Sequence, residues 1–438
     1  VVSLVTPFVS TLPALLAMQF LGGLASGFFI PLTLAFILRN MPPRYWAFGI
    51  ALYALNLELS LNISASLEGY YLEHHSWRWI FWQNVPLALI MTVCLRLGIG
   101  AAPPPPAQRP RLDFFGLLAG GAGLALIYAA LDQGNRLDWL SSGLVWALLL
   151  SGALLSAAFL VHERVTGHPL LNLRVVFKAP MPVLFLLVAF LRLTILATAF
   201  LIPLYLGSVR GFRSLEVGDT LLWVAAPQLV LCPLAALMLR RADPRLVASI
   251  GLIFISVACL MVAYSLTPIW GSLQFLPSAL LQAMGQSFAL SGVIFFGVLH
   301  LKPEEALTFG AVLQTARLMG GEIGTAFINT WTRVREQVAS NLIGQHLHIG
   351  DAAVVQRVRA YGAATTHALD PAGAVARGQA VLGSVVRAAA TTQSVMDGFI
   401  AIGFMAAVAV LVIVYRSAAP HGPASAPPLF PLRTGRPA

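Results

Sequence analysis

The sequence predicts an all-α protein that crosses a membrane many times, and three observations support this prediction. Only 10% of the 438 residues are charged, whereas soluble domains carry about 25%. Hydrophobic residues make up 58% of the chain, and the mean hydropathy is +0.81. The hydrophobic residues fall into runs of about 20, the length that a helix needs to cross the hydrocarbon core of a bilayer.

The N-terminal stub, Val1–Val9, is too short to cross a membrane, and eleven longer apolar runs follow it. The predicted spans are Pro13–Leu38, Tyr45–Leu67, Trp79–Gly98, Phe114–Leu131, Leu144–His162, Met181–Leu206, Asp219–Leu239, Leu246–Ser265, Ser272–Leu299, Ala306–Trp331 and Ser394–Tyr415. We therefore expect about 11 complete transmembrane helices plus the stub, in a chain that begins inside a helix and lacks its N-terminal portion. Gly and Pro within several runs are tolerated in membrane helices, because neighbouring helices satisfy the freed backbone groups.

The basic residues predict how these helices are oriented. When alternate connections are assigned to the two sides of the membrane, one side holds 15 Arg and Lys residues, and the short loops of the other hold four. Because basic loops stay in the cytoplasm, the first side is predicted to be cytoplasmic, in a cell inner membrane, with the C-terminus inside. This topology accounts for the net charge of +10, and no dense basic run indicates nucleic-acid binding.

Composition divides the chain into four parts. Residues 1–100 are predicted to form an incomplete N-terminal bundle, and 101–178 a Pro-rich linker with a central two-helix insert. Residues 179–416 are predicted to form a C-terminal six-helix bundle that includes a periplasmic loop, 332–393. The Pro-rich tail, 417–438, is predicted to be disordered in the cytoplasm. Within the loop, Arg333–His346 and Asp351–Tyr361 are candidates for amphipathic helices. For the loop as a whole we keep two interpretations: a solvated connection, or a docking surface for a periplasmic partner.

The stretch Tyr45–Tyr71 is apolar enough to span a membrane, yet every second residue from 56 to 68 is polar. On a helix these residues form two stripes on roughly opposite sides, so other helices must enclose at least one stripe. Carboxylates inside a membrane cost about 3 kcal/mol or more and often mark ion or substrate paths. Glu58, Asn62 and Glu68 are therefore candidates for proton coupling or for lining a substrate cavity. In the alternative, the polar residues only bond neighbouring helices, and Glu68 lies near the lipid headgroups.

Four further candidates lie inside predicted spans: Arg192, Gln314, Arg317 and Glu322. Arg317 and Glu322 are about 140° apart around a helix, so we do not expect a strong mutual ion pair. For Arg317 we keep two interpretations. It binds an anionic substrate or a carboxylate of another helix, or it has the structural role of linking two helices. Glu322 is a candidate for binding and releasing a proton. Arg192 either lines the same cavity or extends toward the headgroups.

The motifs of several other protein classes are missing from the sequence. It contains no Walker loop, dinucleotide-binding fingerprint or nucleophile elbow, so ATP-driven transport and enzymatic chemistry have no support. The His pairs lack the spacing of a metal site, and we expect neither a metal nor a cofactor. Cys94, Cys232 and Cys259 lie in apolar runs and cannot be read as a disulfide or zinc framework.

Four motifs resemble those of one family. Ser76–Pro86 (SWRWIFWQNVP) matches a WRWIF-x-x-NVP signature that opens a helix, and Leu131–Ser142 (LDQGNRLDWLSS) matches an outer turn between two central helices. His168–Phe177 (HPLLNLRVVF) and Gln314–Gly324 (QTARLMGGEIG) resemble two elements of the second half. Over residues 1–416 the chain thus resembles the fourteen-helix drug/proton antiporters of the major facilitator superfamily, of the EmrB/QacA type. The resemblance assigns structural motif positions to Trp77, Arg78, Trp79, Asn84, Pro86, Asp132, Asp138, Trp139, Gly320 and Gly324.

This resemblance implies the major facilitator fold, in which two helical bundles rock about a midplane site, with the two-helix insert between them. It implies proton-coupled efflux of amphipathic drugs or metabolites by alternating access. The partners would be a small-molecule substrate, protons and the lipid bilayer. Pumps of this type commonly use a periplasmic adaptor (membrane fusion) protein, for which the loop 332–393 is the expected docking surface.

The chain departs from the family at the antiporter motif, Gly-Pro-x-x-Gly-Gly, which aligns with Ser64–Gly69 (SASLEG). Only the last Gly matches. We expect Glu58, Glu68 or Glu322 to supply the protonatable group in its place. The departure leaves two alternatives open: a transporter of another solute or direction, and a non-transporting membrane scaffold or sensor from a degraded gene.

Overall fold

The computed structural model describes residues 1–98, 113–348, 350–365 and 371–415, and these residues form helices and turns without a strand. The predicted Pro-rich linker and the C-terminal tail lie outside them. In chain order the α-helices are α1 (Val2–Val5), α2 (Leu12–Gly27), α3 (Phe29–Asn40), α4 (Trp46–His74), α5 (Trp79–Trp82), α6 (Asn84–Gly98), α7 (Phe114–Gly134), α8 (Gly143–Val165), α9 (Leu173–Phe177), α10 (Met181–Thr194), α11 (Ile202–Ser208), α12 (Ser214–Leu239), α13 (Pro244–Ser265), α14 (Leu276–Val298), α15 (Ala306–Gln345), α16 (Ala352–Thr365) and α17 (Pro371–Val414). A π-helical segment, Ala197–Leu201, lies between α10 and α11.

Ten helical segments in the described part of the chain are long and apolar enough to cross a membrane. They are Leu12–Asn40, Pro43–His74, Trp79–Gly98, Phe114–Gly134, Gly143–Val165, Met181–Ser208, Ser214–Leu239, Pro244–Ser265, Ser272–Val298 and Gly373–Val414. Each contains or overlaps one predicted span, so the all-α, membrane-spanning class is confirmed. The eleventh predicted span, Ala306–Trp331, lies within α15, a continuous helix of 40 residues that falls short of the apolarity of the other ten.

Three predicted spans are interrupted in the structure, and one of them, Trp79–Gly98, is divided at Gln83 into α5 and α6. The span Pro13–Leu38 is divided at Phe28, directly after Gly27, into α2 and α3. The span Met181–Leu206 is divided into α10, the π segment and α11. Pro203, in the first turn of α11, has no N–H to donate to the preceding turn, which favours the wider π turn before it.

The region predicted as a loop, 332–393, is mostly helical. α15 continues to Gln345, α16 follows it, and α17 begins at Pro371. α16 packs on α17, and Arg335 of α15 forms an ion pair with Asp397 of α17 at 2.6 Å. The region is therefore a folded helical unit and not an irregular connection, and we call residues 332–393 the cap.

The helices at the centre of the bundle come from both halves of the chain. α14 is the most enclosed span, and it packs against α4, α10, α12 and α13. α4 lies along α12, and α10 lies along α15. α7 and α8 pack mainly on each other, and α7 also packs on α15. The side chains at the centre are therefore supplied by α4 from the first half and by α10, α12, α14 and α15 from the second.

Arg39 and Arg245, which the topology prediction assigns to the same side of the membrane, lie at one end of the bundle. Arg39, at the end of α3, donates to the Pro303 carbonyl at 3.4 Å, and Arg245, at the start of α13, pairs with Asp243 at 2.7 Å. We call this the basic end and the other the opposite end. The cap extends from the opposite end, because α15 begins beside Pro303 and leads into it.

Candidate functional site: a buried polar network at the bundle centre

α4 presents one of its two polar stripes to the protein interior. Glu58, Asn62 and Ser66 follow one another at four-residue spacing and are 2%, 1% and 7% exposed. Asn56 and Glu68, the first and last members of the other stripe, are exposed. The spacing explains this arrangement, because residues four positions apart share a helix face. The enclosed stripe is the starting point of the candidate site.

Asn62 belongs to a hydrogen-bonded network that joins four elements. Its amide donates to Gln286 Oε1 on α14 at 2.9 Å, and Gln228 Nε2 on α12 donates to the same oxygen at 3.0 Å. Gln286 Nε2 donates in turn to Thr198 Oγ1, in the π segment, at 3.1 Å. All four side chains are 2% exposed or less. The network therefore crosses from the first half of the chain to three elements of the second half.

The sequence analysis did not identify Gln228, Gln286 or Thr198 as site residues. For the two glutamines a signal was available, because an amide within an apolar run (APQLVL, MGQSFAL) must find a hydrogen-bond partner inside the membrane. The sequence could not supply the partners, since Asn62 lies 166 and 224 positions from the two glutamines and meets them only through helix packing.

Some buried polar atoms beside this network have no hydrogen-bond partner among the described residues. They are Glu58 Oε2 and Asn62 Oδ1. A buried polar group left unpaired costs about 1–3 kcal/mol, and a charged group costs more. These atoms are therefore available to bind a proton or the polar groups of a solute. Cys232 of α12 also lies within electrostatic range of Glu58.

Two arginines of the second half lie within electrostatic range of Glu58. Arg192 of α10 lies over the backbone of Gly321, where a Cβ atom would be 3.3 Å from the guanidinium Nε. Arg317 of α15 donates from Nε to Gln314 Oε1 at 3.1 Å. Within the described ranges, neither arginine has a carboxylate oxygen within 4.0 Å. The structure thus places Arg192 on α10 and Gln314 and Arg317 on the neighbouring α15, with both arginines within electrostatic range of Glu58.

Glu322 faces away from this region, although it lies on the same helix as Arg317. It is 8% exposed and faces α7 of the insert, where the Tyr128 hydroxyl is close enough for a hydrogen bond and Asp132 is within electrostatic range. The motif glycines of α15, Gly320 and Gly324, press against the backbone of α10 on another face. The sequence-predicted acids Glu58 and Glu322 are therefore not part of one cluster.

Glu68 lines a cleft of about 440 Å³ between α4, α11 and α12. Beside this cleft, α4 and α12 approach each other closely. Ser66 Oγ donates to the Gly218 carbonyl at 2.6 Å, and a Cβ atom at Gly69 would lie 2.7 Å from Leu215 Cα. Gly69 is the one residue that matches the antiporter motif, and only a residue without a side chain allows this approach. The two halves are in contact here, on the side of the network away from the basic end.

The WRWIF motif forms an aromatic cluster where α4 leads into α6. Trp79 stacks on Tyr71 with ring centroids 6.3 Å apart and meets Trp82 edge-on at 5.9 Å. Trp77 meets Phe81 edge-on at 6.2 Å. The other motif positions of this segment are exposed: Arg78, Asn84 and Pro86. A Trp-rich cluster at the end of a span is typical of the membrane–water interface.

A bundle of hydrophobic helices that encloses a network of amides, a carboxyl group and nearby arginines has the architecture of a polytopic membrane transport protein. Residues 1–325 match the Major Facilitator Superfamily, and the chain belongs to this family. The match confirms the fold that the motifs predicted.

Similar proteins indicate which branch of the superfamily the chain resembles. The chain is 28% identical over 333 residues to the uncharacterized MFS-type transporter YhcA of Bacillus subtilis (strain 168), which covers 74% of this chain and 60% of YhcA. It is 25% identical over 330 residues to the multidrug export protein EmrB of Escherichia coli (strain K12), covering 74% and 63% of the two chains. It is 22% identical over 339 residues to the fatty acid resistance protein FarB of Neisseria gonorrhoeae, covering 77% and 66%. The chain thus spans about 60% of the length of the curated relatives it matches, and the resemblance to EmrB-type transporters is confirmed.

Proposed function

We propose that the protein is a proton-coupled secondary transporter that exports amphipathic drugs or metabolites by alternating access. Family membership supports a transporter, and the names of the relatives, multidrug export for EmrB and fatty acid resistance for FarB, support amphipathic substrates. The observation that carries the proposal is Glu58, a carboxyl group that is 2% exposed where the two halves meet. Carboxyl groups held inside membranes are costly and commonly serve ion or proton paths.

The charges around Glu58 provide a physical reason why protonation would change the conformation. Ionised Glu58 on α4 attracts Arg192 and Arg317, which α10 and α15 carry on the other half. This attraction acts across the boundary between the two halves, because α4 belongs to the first half and α10 and α15 belong to the second. Protonated Glu58 no longer attracts the arginines, so the halves separate more easily and the amides of Asn62 and Gln286 become available to a substrate.

The substitution Glu58→Gln tests this proposal, and Glu68→Gln is the comparison, because Glu68 is an exposed acid of the same helix that the sequence also made a candidate. Dye accumulation would be measured for the full-length protein in a pump-deficient strain, with and without a proton uncoupler. We expect Glu58→Gln to abolish uncoupler-sensitive export and Glu68→Gln to retain it. Uncoupler-sensitive export that survives in Glu58→Gln rules out this acid as the proton site. Wild-type protein without export would favour the scaffold alternative.

We also propose that the basic end faces the cytoplasm of a cell inner membrane and that the cap faces the periplasm. The support is the count of Arg and Lys residues, 15 on the basic side against four in the short loops of the other side, since the positive-inside rule counts short loops and not a long one such as the cap. A membrane-impermeant maleimide applied to intact cells is expected to label Asp351→Cys in the cap but not Arg39→Cys at the basic end, both of which are exposed. Labelling of Arg39→Cys alone would reverse the orientation.

The cap is the proposed docking surface for a periplasmic adaptor protein. Its helices surround a cleft of about 570 Å³ that is lined mainly by Val and Leu side chains, with Arg359 and Arg387 among them. Val375, 43% exposed, contributes to this lining. We expect a co-expressed adaptor to co-purify with the full-length protein and to be lost from Val375→Glu. Co-purification that is unchanged in Val375→Glu would place the adaptor elsewhere.

A further inference from the structure

The two-helix insert, α7 and α8, is attached to α15 by a row of polar contacts. The Trp139 indole N–H donates to Thr330 Oγ1 at 2.9 Å, and the Thr330 hydroxyl lies 3.3 Å from Asn135 Oδ1. Arg333 Nη1 lies 2.9 Å from Asp138 Oδ1 in an ion pair. These contacts, from the turn between α7 and α8 to the second half of α15, form what we call the seam.

The seam extends into the membrane span through Glu322. Its buried carboxyl group faces Tyr128, which lies almost two turns before the end of α7. Hydrogen-bonding groups at a helix interface inside a membrane hold the helices in one register, because no water is available to replace a lost partner. The insert therefore contacts α15 both inside the span and at its end.

The turn that carries the seam has an unusual backbone. Asp138 and Trp139 have φ angles of 54° and 49°, in the left-handed region that costs residues with a side chain about 1–2 kcal/mol each. This conformation directs the Trp139 ring over Gly134, where a Cβ atom would be 2.6 Å from the ring, and its N–H toward Thr330. A strained turn persists where surrounding contacts over-determine it, and here those contacts are with α15.

The same helix carries the residues that face the central site. Arg317 lies five positions before Glu322, and Gly320 and Gly324 pack α15 against α10, which carries Arg192. A shift of α15 relative to the insert would therefore move both arginines relative to Glu58. The main packing partner of α7 outside the insert is α15.

We propose that the insert is a fixed part of the second half of the transporter and that Tyr128, Asp138 and Trp139 are positioning residues, which hold α15 so that Arg317 faces Glu58. This inference rests on the proposed function for its effect on transport. The insert moves together with α15 while α4 and α12 separate.

Crosslinking distinguishes this inference from the alternatives. In the full-length protein with its native cysteines replaced, Asp138→Cys and Arg333→Cys would be joined by a short thiol-reactive crosslinker, which replaces the ion pair with a covalent bridge. The control pair is Glu68→Cys and Ser214→Cys, which line one cleft on α4 and α12 and so join the two halves. Transport and the crosslinking yield would be measured before and after treatment.

We expect the Asp138–Arg333 pair to transport several-fold more slowly than wild type before treatment, because the ion pair is lost, and to recover after crosslinking. The Glu68–Ser214 bridge is expected to stop transport. If the seam bridge stops transport as completely as the control bridge, or if it does not form, the inference is wrong. If instead the control bridge leaves transport running, alternating access between the halves is wrong, and the recovery of the seam pair still decides the inference.

Discussion

Glu58 and Glu322 are both buried acids in long helices, but their surroundings differ. Glu58 lies on the first half and within electrostatic range of Arg192 and Arg317 of the second half, whereas Glu322 faces Tyr128 and lies within electrostatic range of Asp132, both on the insert. In the proposed mechanism, a change of charge at Glu58 alters the attraction between two halves that separate, while a change at Glu322 alters one side of the seam. Burial of an acid in a membrane is therefore not enough to propose it as a coupling site, and our proposal for Glu58 depends on the helices that carry its partners.

The largest effect is expected from removing the positive charge of Arg317, which lies within electrostatic range of Glu58. Arg317→Gln is expected to reduce transport about 10-fold or more, because a coupling between sites of this kind is typically worth 5–150-fold. Arg317→Lys keeps the positive charge and should retain more activity. Transport rates of purified protein in proteoliposomes would measure both.

A double variant tests whether Glu58 and Arg317 act on each other. If Glu58 and Arg317 act on each other, Glu58→Gln combined with Arg317→Gln should cost little more than either change alone, because non-additivity is the mark of a shared interaction. Losses that multiply in the double variant would show that the two residues act independently, and Glu58 would then have no special partner.

The next effect is structural and concerns the face of α15 that meets α10. A side chain at Gly320 would overlap the backbone of Ala189, so Gly320→Ala should destabilise the protein by about 1–3 kcal/mol, as overpacking typically does. Gly344→Ala, on the same helix but with nothing within 4 Å of its Cβ position, is the matched control and should be neutral. Thermal unfolding in detergent measures both, and equal Tm values would contradict the close packing of α10 on α15.

The sequence predicted the helical class and ten of the spans, because a continuous apolar run of about 20 residues has the length of a membrane helix, whereas a barrel strand needs only about 10. It also pointed to Glu58, since an acid flanked by apolar turns is conspicuous. It could not predict that Glu322 faces Tyr128, because nothing local fixes which face of α15 turns toward the insert. The start of α17 at Pro371 was missed for a different reason: hydropathy detects the part of a helix inside the lipid and not its extension outside.

A smaller effect is expected at the seam. Tyr128→Phe removes one hydroxyl and should lower stability by about 1 kcal/mol, the net worth of a typical hydrogen bond. If Tyr128 positions α15, turnover should fall while KM stays unchanged, since the central site itself is untouched. Steady-state transport kinetics separate the two parameters. A raised KM with unchanged turnover would instead place Tyr128 in the substrate path.

The smallest effect is expected at Asp113, which caps α7 near the basic end of the insert. The Gly116 N–H donates to Asp113 at 2.9 Å, and this bond, with His162 at 2.8 Å, lowers the pKa of Asp113 below its usual range. Because the folded-state pKa is depressed, the stabilisation is present above the unfolded value of about 3.9 and is lost only as the pH falls through the folded value. Asp113 therefore stays ionised throughout the pH range in which a transporter works.

We accordingly expect Asp113→Asn to lower Tm slightly and to leave the pH profile of transport between about pH 5 and 8 unchanged. Glu58→Gln should flatten the same profile. Transport assays across this range, run on both variants beside wild type, make the comparison directly. A profile that moves with Asp113→Asn would mean that an acid of the insert takes part in coupling, and the distinction between acids that face the other half and acids that do not would fail.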